Sequence, residues 1–244
     1  MSVGFYNVND SGSVIIDENY MNLEYKTKWS VSSITANAYY QAAGYEYPAD
    51  SNLIYWIVDF LDSNNAMIAV APPIGRNIGT QDITALSIYT YPLQSGYRRL
   101  VFFSEGTTPA TLTCYLFDNL SSLNLINTGY GLQILNSSGT LVYHSSRKYL
   151  RIDNGLVLRG SLVGTNYTVS SSKSYAFLLS NPGRRRYLPA STSLRRYKQA
   201  CFKQTSTTNI QCYGSNYWFK DNLPSGALVD NEPDLGFIVD VTGY

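Results

Sequence analysis

The chain repeats itself. Residues 3–16, VGFYNVNDSGSVII, lie over residues 130–143, YGLQILNSSGTLVY, at a constant offset of 127 and without a gap. Gly4, Asn9, Ser11 and Gly12 recur as Gly131, Asn136, Ser138 and Gly139, while Phe5, Val8, Val14 and Ile15 keep their apolar character as Leu132, Leu135, Leu141 and Val142. Each copy reads as strand, tight turn, strand. The Asn and Ser side chains bond the local backbone, and the glycine supplies the positive φ that sends the chain back antiparallel. A weaker echo, at an offset of 122, sets Tyr115-Leu116-Phe117-Asp118 of TLTCYLFDN over Phe237-Ile238-Val239-Asp240 of DLGFIVDVT. Echoes at both ends of each half predict a tandem duplication into units 1–126 and 127–244, with the boundary in LSSLNLINTG.

Composition supports strands throughout. The chain holds 22 tyrosines, and its 14% of charged residues excludes the highly charged disordered class. NLIYWIVDFL (52–61) reads as a central strand covered on both faces, with SYAFLLSN (174–181) as its counterpart; GYRRLVFF (96–103) and NYWF (216–219) add two more. Turns at APPIG, YPLQSG, EGTTP, SNPG and NLPSG separate them at short intervals. The expected fold is all-β: two tandem, related antiparallel β-sandwich domains. One short helix is expected over STSLRRYKQACF, where Leu194, Tyr197 and Cys201 fall at i, i+3 and i+7. The longest apolar stretch, Leu53 to Leu61, contains Asp59 and is too short to span a bilayer, and the N-terminus carries no targeting pattern, so a soluble chain made in the cytoplasm is expected. Three cysteines without CxxC spacing read as reduced thiols, although Cys201 and Cys212 could face each other across a hairpin.

Catalytic chemistry finds little support. A single histidine, His144, cannot form a zinc cluster, and at the end of the strand TLVYHS it reads as a solvated strand-end residue where the first copy has Asp17. No GxSxG, HExxH, GxxxxGK[ST] or GxGxxG occurs. Paired carboxylates remain (Asp59 with Asp62; Asp230, Glu232 and Asp234), but strand ends and turns account for such acids. The DSNN and DNEPD runs lack the EF-hand ligand order. No catalytic residue, metal or cofactor is assigned.

Charge is distributed unevenly. Residues 1–62 carry −6, 63–146 balance, 147–203 carry +11 and 204–244 carry −4. The basic segment 147–203 opens with Arg147, Lys148 and Arg151 and continues through Arg184, Arg185 and Arg186 to Arg195, Arg196 and Lys198. Most of these bases are Arg, suited to planar bidentate contacts. Docking on acidic protein surfaces is the favoured reading, with Arg184, Arg185, Arg186, Arg195, Arg196 and Lys198 as the contact set. A polyanion site with Tyr187 and Tyr197 stacking is the sharper rival, and nucleic acid is not expected of a chain whose net charge is only +1.

YGLQILNSSGTLVYHSSRKYLRI resembles the opening of a poorly characterised group of small β-sandwich proteins associated with the tail tip or tail fibres of tailed bacteriophages. Gly131, Asn136, Gly139, Ser145 and Tyr244 match that pattern, GFYNVNDSGSVIIDEN fits the same opening, and His144 stands where the pattern has Asp. The resemblance implies a non-enzymatic virion structural protein, assembled in the host cytoplasm as several copies at the tail tip or tail and docking on other tail proteins. Its rivals are a receptor module that stacks Tyr217 and Trp218 on host surface glycan, a head-decoration or tail-tube subunit, and a carboxylate glycosidase.

Overall fold

The computed structural model of the chain describes residues 6–8, 14–17, 22–35, 53–61, 66–81, 95–119, 131–158, 165–179, 186–189, 195–219 and 234–244, and every regular element among them is a β-strand. The first half contributes β1 (Tyr6–Val8), β2 (Val14–Asp17), β3 (Leu23–Ser32), β4 (Ile34–Thr35), β5 (Leu53–Leu61), β6 (Met67–Ala71), β7 (Asn77–Gln81), β8 (Tyr97–Glu105) and β9 (Thr111–Asn119). The second contributes β10 (Gln133–Leu135), β11 (Leu141–His144), β12 (Ile152–Leu158), β13 (Thr165–Thr168), β14 (Tyr175–Leu179), β15 (Arg186–Pro189), β16 (Arg195–Ser206), β17 (Asn209–Phe219) and β18 (Asp234–Asp240). The fold is all-β. Two antiparallel sheets carry it: a six-stranded one in the order β12-β18-β14-β6-β9-β3, and an eight-stranded one in the order β13-β17-β16-β7-β8-β5-β4 with β15 beside β16.

The sequence repeat is a repeat of register. Hairpin β1–β2 pairs Tyr6 with Asp17, Asn7 with Ile16 and Val8 with Val14, with a bulge after Asn7; hairpin β10–β11 pairs Gln133 with His144, Ile134 with Tyr143 and Leu135 with Leu141, with the bulge after Ile134. Every partner is displaced by 127. The expected turn chemistry is present in the second copy. Asn136 Oδ1 accepts from the backbone N–H groups of Ser138 (3.0 Å) and Thr140 (2.9 Å), and Gly139 turns the chain at φ +75°. Gly4, Asn9 and Gly12 lie outside the described residues. The second echo holds too. β9 lies between β6 and β3 as β18 lies between β14 and β12, with Leu116 and Ile238 against one face of the sheet and Phe117 and Val239 against the other.

The expected units 1–126 and 127–244 are not separate in their hydrogen bonding. β6 pairs with β14 (Val70 with Phe177, Ala69 with Leu178), and β7 pairs with β16 (Ile78 with Phe202, Asn77 with Lys203), so both sheets run across the chain midpoint. Each pairing covers a strand edge that a half on its own would leave with unpaired backbone groups. Between the sheets one apolar core collects Ile54, Trp56, Phe102, Ile78 and Phe202 from the larger sheet and Ile68, Val70, Cys114, Phe177 and Ile238 from the smaller. Trp56, fully buried, also gives its indole N–H to Ala110 O (3.1 Å).

Three local expectations are corrected. SYAFLLSN is not the counterpart of β5: it forms β14, whose place in the pairing scheme is that of β6. The helix over STSLRRYKQACF is absent, because residues from Arg195 onward form β16, zipped to β17 from Arg195 opposite Phe219 to Ser206 opposite Asn209. Tertiary pairing on this scale overrides a three-residue helical periodicity. Cys201 and Cys212 cannot face each other. Cys212 is opposite Phe202 and shares its core, whereas Cys201 is opposite Tyr213 and takes the other face, so the buried cysteines stay thiols. Burial pushes the Cys114 thiol up to about 12.

Candidate functional site

The six-stranded sheet curls over its second core, which joins Ala69, Tyr115, Phe117, Leu178 and Val239 under a cover of Leu23, Tyr25, Leu150 and Tyr244. The chain entering β12 closes the curl. Tyr25 N–H donates to Lys148 O and Leu150 N–H to Leu23 O (both 2.8 Å), tying this segment to the edge strand β3, while Asp240 N–H donates to Arg151 O (2.9 Å), tying it to β18, the neighbour of the other edge strand β12. In the segment 147–151, Lys148 and Arg151 thus give both a closing carbonyl and a basic side chain, while Arg147 turns to the buried Glu24.

At this closure lies a pocket of about 550 Å³, lined by Asn22, Tyr143, Arg147, Lys148, Tyr149, Leu150 and Arg151 and by the terminal Thr242, Gly243 and Tyr244. Three cations converge on the terminal carbonyls. Arg151 Nη2 donates to Thr242 O (2.5 Å), Lys148 Nζ to Gly243 O and Lys28 Nζ to Tyr244 O (2.7 Å). The Tyr244 ring packs on Tyr25 (4.9 Å between centroids) and Phe117 (5.8 Å), with the Arg151 guanidinium 4.7 Å above it. Its hydroxyl donates to Tyr149 O. Tyr149 stacks on Tyr143 at 5.0 Å, and its hydroxyl bonds the backbone of His144.

His144 differs from its expectation. It ends β11 but is buried, with Nδ1 at 2.7 Å from Ser146 Oγ and 3.2 Å from Ser146 N. Glycine at 131 makes this possible, since a Cβ there would come within 2.8 Å of Ser145 Oγ and 3.2 Å of His144 Cε1. Two carboxylates stand behind the cations. Glu24, buried, pairs with Arg147 and with Lys26 (2.6 Å); Asp240 pairs with Arg151 (3.5 Å) and Lys173 (3.7 Å).

Burial acts to raise the Asp240 carboxyl, but hydrogen bonds from the Thr242 backbone and side chain and the charges of Arg151 and Lys173 outweigh it and hold the group below its ordinary 3.8. A depressed carboxylate contributes stability above its unfolded value, and that contribution is lost as the pH falls through the folded one. The thermal midpoint of the native chain is therefore expected to exceed that of Asp240→Asn at neutral pH and to converge on it below about pH 4. A gap that stays constant down to pH 2.5, on the order of the range scanned, would contradict the assignment.

The residues singled out in the sequence fall elsewhere. Arg184 and Arg185 lie outside the described residues. Arg186, Arg195, Arg196 and Lys198 belong to a three-stranded ribbon of β15, β16 and β17, whose register sets Arg186 opposite Lys198, Leu188 opposite Arg196 and Pro189 opposite Arg195. The same ribbon holds the stacking pair: Trp218 is opposite Arg196 and Tyr217 opposite Tyr197. Among the described residues, β7 meets β16 at Phe202 and Lys203 and β13 meets β17 at residues 209–212, while the Arg195 end of β16 is paired within the ribbon, to β15 and β17. Of the earlier acids, Asp59 is exposed and held by Arg99 (2.6 Å); Asp62, Asp230 and Glu232 lie outside the described residues. No group of three metal-ligating side chains occurs among the described residues, and no helix among them is long and apolar enough to cross a membrane. Comparison with protein-family models, curated proteins and solved structures finds no match.

Sequence reasoning missed Tyr143, Tyr149 and Glu24. The signal was the density of aromatic and basic residues in YHSSRKYLR, which a count of net charge does not register.

Proposed function

We propose that this chain is a non-enzymatic structural protein of a tailed-bacteriophage particle, located at the tail tip or tail, present in several copies and docking on neighbouring tail subunits through its basic second half. In this reading the two halves descend from one duplicated β-sandwich unit. The observation that carries it is that the five positions matching the tail-protein pattern form one connected piece of structure. Asn136 and Gly139 make the turn; Ser145 Oγ accepts from Leu132 N–H (2.9 Å) beside Gly131; and the hairpin reaches Tyr244 through the stacked Tyr143 and Tyr149.

The ribbon of β15, β16 and β17 is the docking element in this reading, because its adjoining strands carry Arg186, Arg195, Arg196 and Lys198. Charge complementarity fixes register and speeds encounter in assemblies of this kind. Changing both Arg195 and Arg196 to Glu is expected to leave the thermal midpoint in place and to reduce incorporation into particles by about tenfold, with wild-type incorporation weakening as salt rises. Peptide counting on particles assembled with each variant reads the effect. Unchanged incorporation by the folded double variant would remove the ribbon from the interface. The glycan reading keeps one supporting feature, the placement of Trp218 opposite Arg196 on the same ribbon.

A further inference from the structure

The pocket at the closure of the six-stranded sheet is separate from the ribbon and does not depend on the assembly reading. Its charge is not balanced. Among the described residues its lining carries three cations, Arg147, Lys148 and Arg151; Glu24 pairs with Arg147 and Asp240 with Arg151, while Lys148, like Lys28 near it, bonds a backbone oxygen. Carbonyl oxygens satisfy one N–H each on Lys28 and Lys148 without neutralising either. Arg151, with its side chain 48% exposed, keeps further donors toward solvent. Three tyrosines, Tyr143, Tyr149 and Tyr244, share the lining with Arg147, Lys148 and Arg151, and the volume falls in the range of small-molecule sites.

Flat aromatic rings, a cationic rim and a concave site of this size together select a particular ligand. An inorganic anion would use the cations and leave the tyrosines unused; a neutral sugar would use the tyrosines and leave the charge uncompensated. We infer that the pocket binds a sugar that carries a carboxylate, a uronic-acid or related acidic residue of a surface polysaccharide, with its carboxylate at Lys148 and Arg151 and its ring against the tyrosine wall. Asn22, whose Nδ2 donates to Val142 O (3.2 Å), leaves its carbonyl side to accept from a sugar hydroxyl. No bond is made or broken in this scheme.

The test is calorimetric titration of the full chain with methyl glucuronide, methyl glucoside and inorganic phosphate. Methyl glucuronide is expected to bind saturably with Kd on the order of 1 mM, the scale of a single sugar ring, and the other two at least about tenfold more weakly. Lys148→Gln is expected to weaken methyl glucuronide about tenfold. Because Lys148 also holds Gly243 O, the thermal midpoint of that variant is measured alongside. Tyr143→Leu is the second variant: it keeps apolar bulk beside Tyr149, removes the flat ring, and is expected to weaken binding about tenfold. Equal affinity for phosphate, equal affinity for methyl glucoside, no saturable binding of methyl glucuronide, or undiminished binding by either folded variant overturns the proposal.

Discussion

Phe177→Ala is expected to lower stability by about 3–5 kcal/mol, the range for deleting a buried phenylalanine, and to lower it for both halves of the chain at once. Phe177 on β14 stacks on Phe202 of β16 with centroids 5.0 Å apart and planes 14° apart, and both rings are buried. The site is the seam itself. Phe177 is registered against Val70 of β6 and Phe202 against Ile78 of β7, so the cavity opens where each sheet passes from one half to the other. A loss of this size is a large fraction of the total stability of a domain. Urea unfolding followed by hydrogen exchange should show the amides of β5 and β8 and those of β12 and β18 losing protection in one transition. Protection retained by β5 and β8 after β12 and β18 have exchanged would mean that the halves fold as independent units and that the seam is a contact between them.

The second large effect is expected at Glu24. Its carboxylate is 5% exposed and holds both Lys26 and Arg147, so Glu24→Gln leaves two cations without their counter-ion in a partly buried setting. Breaking a buried pair from one side costs about 3–5 kcal/mol, because the remaining charge is uncompensated. Glu24 also lies in the backbone bridge to Tyr149, so the loss is expected to loosen the closure that shapes the pocket. The double variant Glu24→Gln with Arg147→Met, which removes one of the two stranded charges, is expected to recover part of the loss, and a double-mutant cycle by urea denaturation measures the coupling. A single-variant cost below about 1 kcal/mol would place the pair in the class of surface ion pairs.

What was legible in the sequence was local. Asn136 and Gly139 announce their turn because the Asx hydrogen bonds and the positive φ are settled within five residues, and the offset of 127 carried the bulge as well as the strands because the bulge is part of the same short hairpin. Strands such as β5 and β8 were visible as apolar, aromatic runs. The seam was not. β6 and β14, like β7 and β16, are joined by backbone bonds between residues more than a hundred positions apart, and their sequences specify a strand without naming its partner.

The same limit applied to the site. Charge along the chain correctly marked residues 147–151 as basic, but Lys148 and Arg151 reach back to Gly243 and Thr242, a use that becomes visible only when β18 is placed beside the chain entering β12. His144 was read as solvated because it ends a short strand; its burial comes from Ser146, Tyr149 and the close approach that a glycine at 131 allows. Leu194, Tyr197 and Cys201 suggested a helix because three residues can match a helical period by accident, whereas β16 is fixed by its full length of pairing with β17.

Immunogold labelling of purified tailed-phage particles that contain this chain's coding sequence, with copy number from quantitative peptide mass spectrometry, tests the central reading most directly. Gold at the end of the tail with a few to about a dozen copies per particle, as a ring of subunits around the tail axis requires, is the predicted result. Gold over the head or in hundreds along the tube, on the order expected of a repeating shell or tube lattice, would contradict the tail-tip placement, and particles without gold or peptides would contradict the virion assignment altogether.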